Sequence, residues 1–168
     1  MALSWQQVTG AKAENGPAWV APLEAPMQLI NPYRQPNSDY SAGHRGVDYQ
    51  VSDGQLIYAP TEATVSFNQY LVDRAVLVLK TEAGDLLEFE PACSSLAVGQ
   101  QVKAGDSIAE VCPASPEYRK HCERGLCLHF SLRTARGYLS PIVRYGAGTI
   151  GAATCSLGSR MSFLIPGF

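Results

Sequence analysis

The sequence predicts an all-β protein, an antiparallel β-sandwich or split barrel. From Met27 onward, apolar or alternating runs of about four to eight residues recur between Gly, Pro, Asp or Asn turn signals. No segment sustains a 3.6-residue apolar period over three turns, so no long amphipathic helix is expected. The runs are Met27–Ile30, Gly46–Val51, Gln55–Tyr58, Ala63–Phe67, Ala75–Lys80, Asp85–Phe89, Gln101–Val102, Ser107–Val111 and Leu126–Leu132. Val, Ile, Tyr, Phe and Thr are frequent inside them, as suits a pleated, half-buried surface.

With 168 residues, the chain suits a single domain. Residues 1–26 are small and polar, carry Pro17, Pro22 and Pro26, and read as a flexible lead-in. Residues 27–168 form the β domain. Gly99 and Gly105 predict two tight turns around a short strand. The Gly-, Ala- and Ser-rich stretch 147–159 reads as loop, and Met161–Pro166 is apolar enough to dock as a last strand or clip.

Hydrophobic residues make up 46% of the chain, enough for a core without external staples. Net charge is −2 and no basic stripe appears, so nothing points to nucleic acid. No apolar run approaches the roughly 18 residues of a membrane span. Five cysteines are many for a small cytosolic protein and favour an oxidising compartment. Cys122 and Cys127 enclose a short polar loop that closes easily into a disulfide. The alternative is a Cys127 thiolate that ligates a metal; compartment and loop length favour the disulfide. The opening MALSWQQVTG lacks a basic segment followed by an apolar one, so an export signal or anchor is expected outside this stretch.

The three histidines are His44, His121 and His129. In His44-Arg-Gly-Val-Asp48, residues four apart in an extended chain point to one side, so an imidazole and a carboxylate converge. That mix suits zinc. Alone, the spacing is a weak signal, and a loop histidine capped by an aspartate is the favoured explanation. Cys127-Leu-His129-Phe-Ser-Leu-Arg133 alternates as a strand, with Leu128, Phe130 and Leu132 on one face and Cys127, His129 and Ser131 on the other. His129 then either faces a cleft or lies on a solvated face. Two imidazoles and one carboxylate would leave the fourth position of a zinc ion open, as in catalytic sites.

Taken in order, these segments resemble family M23, the lysostaphin/LytM-type zinc metallopeptidases. His44–Pro60, HRGVDYQVSDGQLIYAP, is similar to the family's H-x-G-x-D followed by G-x-x-I/V-x-A. Val98–Ile108, VGQQVKAGDSI, resembles its glycine hairpins, and Leu128–Arg133, LHFSLR, its H-x-H-F-E-L/I-R strand. Tyr138–Pro141, YLSP, resembles its closing Y-L-D-P. The resemblance spans about residues 27 to 145. It implies a lysostaphin-like β fold of the duplicated hybrid motif type, with zinc held by His44, Asp48 and His129.

Two auxiliary histidines of the family are missing. Cys127 stands where the H-x-H strand has the first of them, and Phe89-Glu90-Pro91-Ala92-Cys93 replaces a Y-x-H-L segment. Each such group is worth around 10²–10³ in rate. The pattern FEP followed by HCERGLCLHFSLR resembles an actinobacterial branch with the same departures. His121 and Glu90 are the candidate substitutes; the plain alternatives are an exposed loop histidine and a turn cap before Pro91.

The resemblance thus implies a secreted or cell-envelope zinc endopeptidase acting on peptidoglycan peptides. The alternative is an inactive wall-binding module, or a regulator of a partner hydrolase in the envelope, that retains zinc. A third reading is an exported sandwich whose His and Asp residues bind no metal.

Overall fold

The computed structural model describes residues 19–38, 40–113, 122 and 125–145. Eleven strands run through them: β1 (Gln28–Asn31), β2 (Gly46–Gln50), β3 (Leu56–Tyr58), β4 (Ala63–Leu71), β5 (Arg74–Lys80), β6 (Leu86–Glu90), β7 (Ala92–Cys93), β8 (Gln101–Val102), β9 (Ser107–Val111), β10 (Cys127–Thr134) and β11 (Gly137–Leu139). The helical content of the described residues is a single 3-10 turn, Pro141–Arg144.

All strand pairings are antiparallel. The larger sheet runs β1-β2-β10-β6-β5-β4-β8, with β11 added beside β10, and the smaller runs β3-β9-β7. The all-β, antiparallel expectation holds. Each of the nine runs read from the sequence overlaps an observed strand. β7 and β11 were not foreseen: at two and three residues they are too short to show an alternation. Gly99 and Gly105 take φ of 92° and 85° in the turns on either side of β8, a region that favours glycine.

β10 lies at the centre. On one face Leu128, Phe130 and Leu132 enter the core with Val47 and Tyr49 of β2, Leu87 and Phe89 of β6, and Leu77 and Leu79 of β5. Phe89 and Phe130 are cross-strand partners and stack with centroids 4.7 Å apart and planes 5° from parallel. Ile57, Ala92, Ile108 and Val111 of the smaller sheet belong to the same cluster, so the two sheets share one core.

Residues 19–26 differ from the expected flexible lead-in. Trp19 and Leu23 are buried in that core. The Trp19 amide donates to the Arg144 carbonyl at 2.9 Å, Val20 to Pro60 at 2.9 Å, and Tyr58 to Pro22 at 2.9 Å. Two large apolar side chains and paired backbone groups outweigh the prolines that suggested disorder. Residues 1–18 and the tail, including the stretch 147–159 and Met161–Pro166, lie outside the described residues.

Phe130 is fully buried, so Phe130→Ala is expected to cost about 3–5 kcal/mol in urea unfolding. A loss below about 1 kcal/mol would contradict this account of the core.

Candidate metal centre

The non-core face of the larger sheet carries the site. β2 and β10 pair with His129 opposite Asp48, and β10 and β6 pair with His129 opposite Glu90. Directly opposed residues present their side chains to the same side. Asp48, His129 and Glu90 therefore form one row across three strands. His44 precedes β2 and is held by paired backbone bonds to Arg34, at 2.9 and 3.0 Å. Both faces of β10 are covered, and His129 is 8% exposed, so the solvated-face alternative does not apply.

Three donor atoms converge. His44 Nε2 lies 3.1 Å from Asp48 Oδ1 and 3.2 Å from His129 Nδ1, and His129 Nδ1 lies 2.7 Å from Asp48 Oδ1. His44 Nδ1 lies 2.8 Å from the Pro32 carbonyl oxygen. A carbonyl oxygen only accepts, so Nδ1 carries the hydrogen, and neutral His44 presents Nε2 as a lone pair. That lone pair faces a carboxylate oxygen, another acceptor. Two acceptors so placed need a cation between them, a proton or a metal ion. Tetrahedral donors at roughly 2.0–2.1 Å from zinc stand about 3.3 Å apart, so the triangle needs to open by only a few tenths of an ångström. Two imidazoles and a carboxylate are also the donor types zinc takes.

Residues around the donors fix them. Asn31 Nδ2 donates to Asp48 Oδ2 at 2.7 Å, and Arg34 donates to Asn31 Oδ1 at 2.6 Å, which settles which way the amide points. Gly46 faces His129 across the strand pair. A Cβ there would lie 2.6 Å from His129 Cε1 and Nε2 and from the Phe130 carbonyl oxygen. Neither Asn31 nor Pro32 was singled out from the sequence: an amide and a backbone carbonyl in a polar stretch carry no pattern.

Cys122 and Cys127 are joined in a disulfide, as the loop length suggested, and Cys93 pairs with Cys112, which the sequence left open. The two sulfurs of the first bridge lie within 4.8 Å of an Asp48 carboxylate oxygen, but bonded to each other they are not thiolate ligands. Cys155 and His121 lie outside the described residues. Glu90 is paired with Arg74 at 3.1 Å, and Arg74 also holds Asp73 at 2.8 Å.

Half-buried Glu88, two residues before Glu90 on the same face, was not foreseen. Its pKa is raised, chiefly by burial and further by Glu90, against the opposing pull of His129, Arg133 and Arg74.

A match to the family model of peptidase family M23 covers residues 42–141, from just before His44 to Pro141. The chain belongs to peptidase family M23. An uncharacterized protein of Mycobacterium tuberculosis is 32% identical over 109 residues, 65% of this chain and 42% of its own length. The chain thus spans less than half of that relative. A zinc-containing peptidase from Vibrio cholerae superposes with a TM-score of 0.61 at 16% identity, over 74% of this chain and 39% of the other. A mutant catalytic domain of the prophage-encoded M23 protein EnpA from Enterococcus faecalis gives 0.58 at 19% identity, over 76% and 98%. At such identities these two structures speak for the M23 fold alone.

Zinc competition titrations check the supporting residues. Asn31→Ala is expected to weaken zinc binding about 10–100-fold with the fold retained, and Gly46→Ala, which pushes on the Phe130 backbone as well as on His129, to lower both zinc affinity and unfolding stability. Unchanged affinity in both would contradict the arrangement. The raised Glu88 pKa gives a pH test. The folded protein keeps this proton to higher pH than the unfolded chain, so stability falls as pH rises from the ordinary carboxylate range through the raised value. Glu88→Gln should gain stability over the wild type as pH rises above the ordinary carboxylate range; parallel unfolding curves would refute this.

Proposed function

We propose that this domain is a secreted or envelope-bound zinc endopeptidase that cleaves peptide cross-links of peptidoglycan. The observation that carries the reading is the convergence of His44 Nε2, Asp48 Oδ1 and His129 Nδ1 in a chain of family M23. These three would hold the zinc. When bound, the ion polarises the scissile carbonyl and acidifies its water. With Cys127 oxidised, its sulfur is no thiolate ligand, and the three proposed ligands would leave one position of a tetrahedral zinc to water or substrate. Two disulfides favour an oxidising compartment.

The chain's own residues do the positioning. Pro32 and Asn31 hold His44 and Asp48 in place, so little reorganisation is needed when substrate enters. Glu90 is the proposed proton carrier or substrate-amine contact. Its support is its register opposite His129 and a carboxylate oriented by Arg74. His121 is the second candidate for the missing imidazole.

One observation favours a second reading. Both auxiliary histidine positions of the family hold other residues, Cys127 and the Phe89–Cys93 segment. A wall-binding module, or a regulator of an envelope partner, would keep the zinc without turnover.

Digestion of purified peptidoglycan, with and without a strong chelator, separates the two. Chelator-sensitive release of new amino termini, seen by mass spectrometry, is expected, and His44→Ala or Asp48→Ala should lose both zinc and release. Glu90→Gln should keep zinc and slow release by about 10²–10³-fold. No release from several wall types by zinc-loaded protein would favour the binding module.

A further inference from the structure

Next to the metal centre the chain gathers positive charge. Arg45 follows His44 directly, Arg133 stands on β10 four residues beyond His129, and Arg136 lies in the turn to β11. The three arginines line one cavity of about 670 Å³, together with Tyr40 and Tyr138. Its described lining contains no carboxylate. Asp39, between two lining residues, lies outside the described residues; counting its charge against three arginines still leaves 3 − 1 = +2.

The arginines are held in place. The guanidinium carbons of Arg45 and Arg133 lie 5.9 and 5.8 Å from the Tyr138 ring centroid. Arg45 also donates to the Ser41 carbonyl at 3.3 Å. Tyr138 pairs with Arg133 across β10 and β11, and its carbonyl accepts from the Tyr33 hydroxyl at 2.8 Å. Arg133 and His129 are separated by an even number of residues and so share a sheet face. At roughly 3.3 Å per residue, the cavity lies about 13 Å along β10 from the metal donors.

Like charges crowded in a concave site repel one another and favour an incoming anion. Guanidinium forks suit a planar carboxylate, which they bind through two parallel hydrogen bonds. A peptide extended parallel to β10 spans 13 Å in about four residues. We propose that the Arg45–Arg133–Arg136 cavity is a carboxylate-binding subsite that holds a free carboxylate of the substrate peptide, three or four residues from the scissile amide. The proposal rests on the peptidase reading for the identity of the ligand, though binding itself requires no turnover.

The test is calorimetric titration of zinc-loaded protein at low salt, in the cold, with mass spectrometry confirming that the probes stay intact. The probes are soluble muropeptides with native carboxylates, and the same muropeptides after carbodiimide amidation with ammonia. Amidation should weaken binding about tenfold or more. Arg133→Gln/Arg136→Gln should reduce affinity for the native probe to that for the amidated one, with melting temperature and zinc content unchanged. Arg45 stays intact in this variant because its neighbour is a metal ligand. Equal binding of the two probes, or undiminished preference in the variant, would overturn the subsite. Tighter binding of polyglycerol phosphate than of the native muropeptides would assign the cavity to phosphate and overturn it equally. Selective binding without cleavage would uphold the subsite while sinking the peptidase; cleavage with no effect of amidation would do the reverse.

Discussion

A one-residue slip between β2 and β10 would turn His129 into the core and dismantle the metal centre. The register is held from both sides of the sheet. On the core side, Phe130 and Leu128 must meet Val47 and Tyr49, and Phe130 must stack on Phe89. On the other side, fully buried Asp48 needs its charge met, which the Asn31 amide does in part and a cation shared with the two imidazoles would complete. The apolar and polar demands agree on one pairing, so the packing that stabilises the sheet also aligns the ligands.

Much of this was legible in the residues. The alternation of CLHFSLR places His129 opposite the leucine face, and the spacing of His44 and Asp48 brings their side chains together. What was not legible depends on long-range pairing. Asn31 reaches Asp48 only because β1 lies beside β2, and Pro32 contributes a backbone oxygen that any residue could supply. Cys93 meets Cys112 because β7 pairs with the end of β9, and β7 is too short to announce itself. Residues 19–26 read as a flexible lead-in because proline-rich composition is a correlate of disorder, whereas the buried Trp19 and Leu23 side chains are a cause of order.

The departures from the family pattern acquire a physical setting. Where the M23 motifs carry a histidine, Cys127 is tied to Cys122 beside Asp48. Where they carry another, Glu90 stands opposite His129 in an ion pair with Arg74. The sheet face therefore carries carboxylates on β6 at one side of His129 and arginines toward the β11 side.

The central claim is that His44, Asp48 and His129 bind one zinc ion and that Cys127 does not. X-ray absorption at the zinc edge of the oxidised protein tests this most directly. The account predicts nitrogen and oxygen donors only, at about 2.0–2.2 Å, lost in His129→Ala. A sulfur donor near 2.3 Å, or folded protein that takes up no zinc, would contradict it.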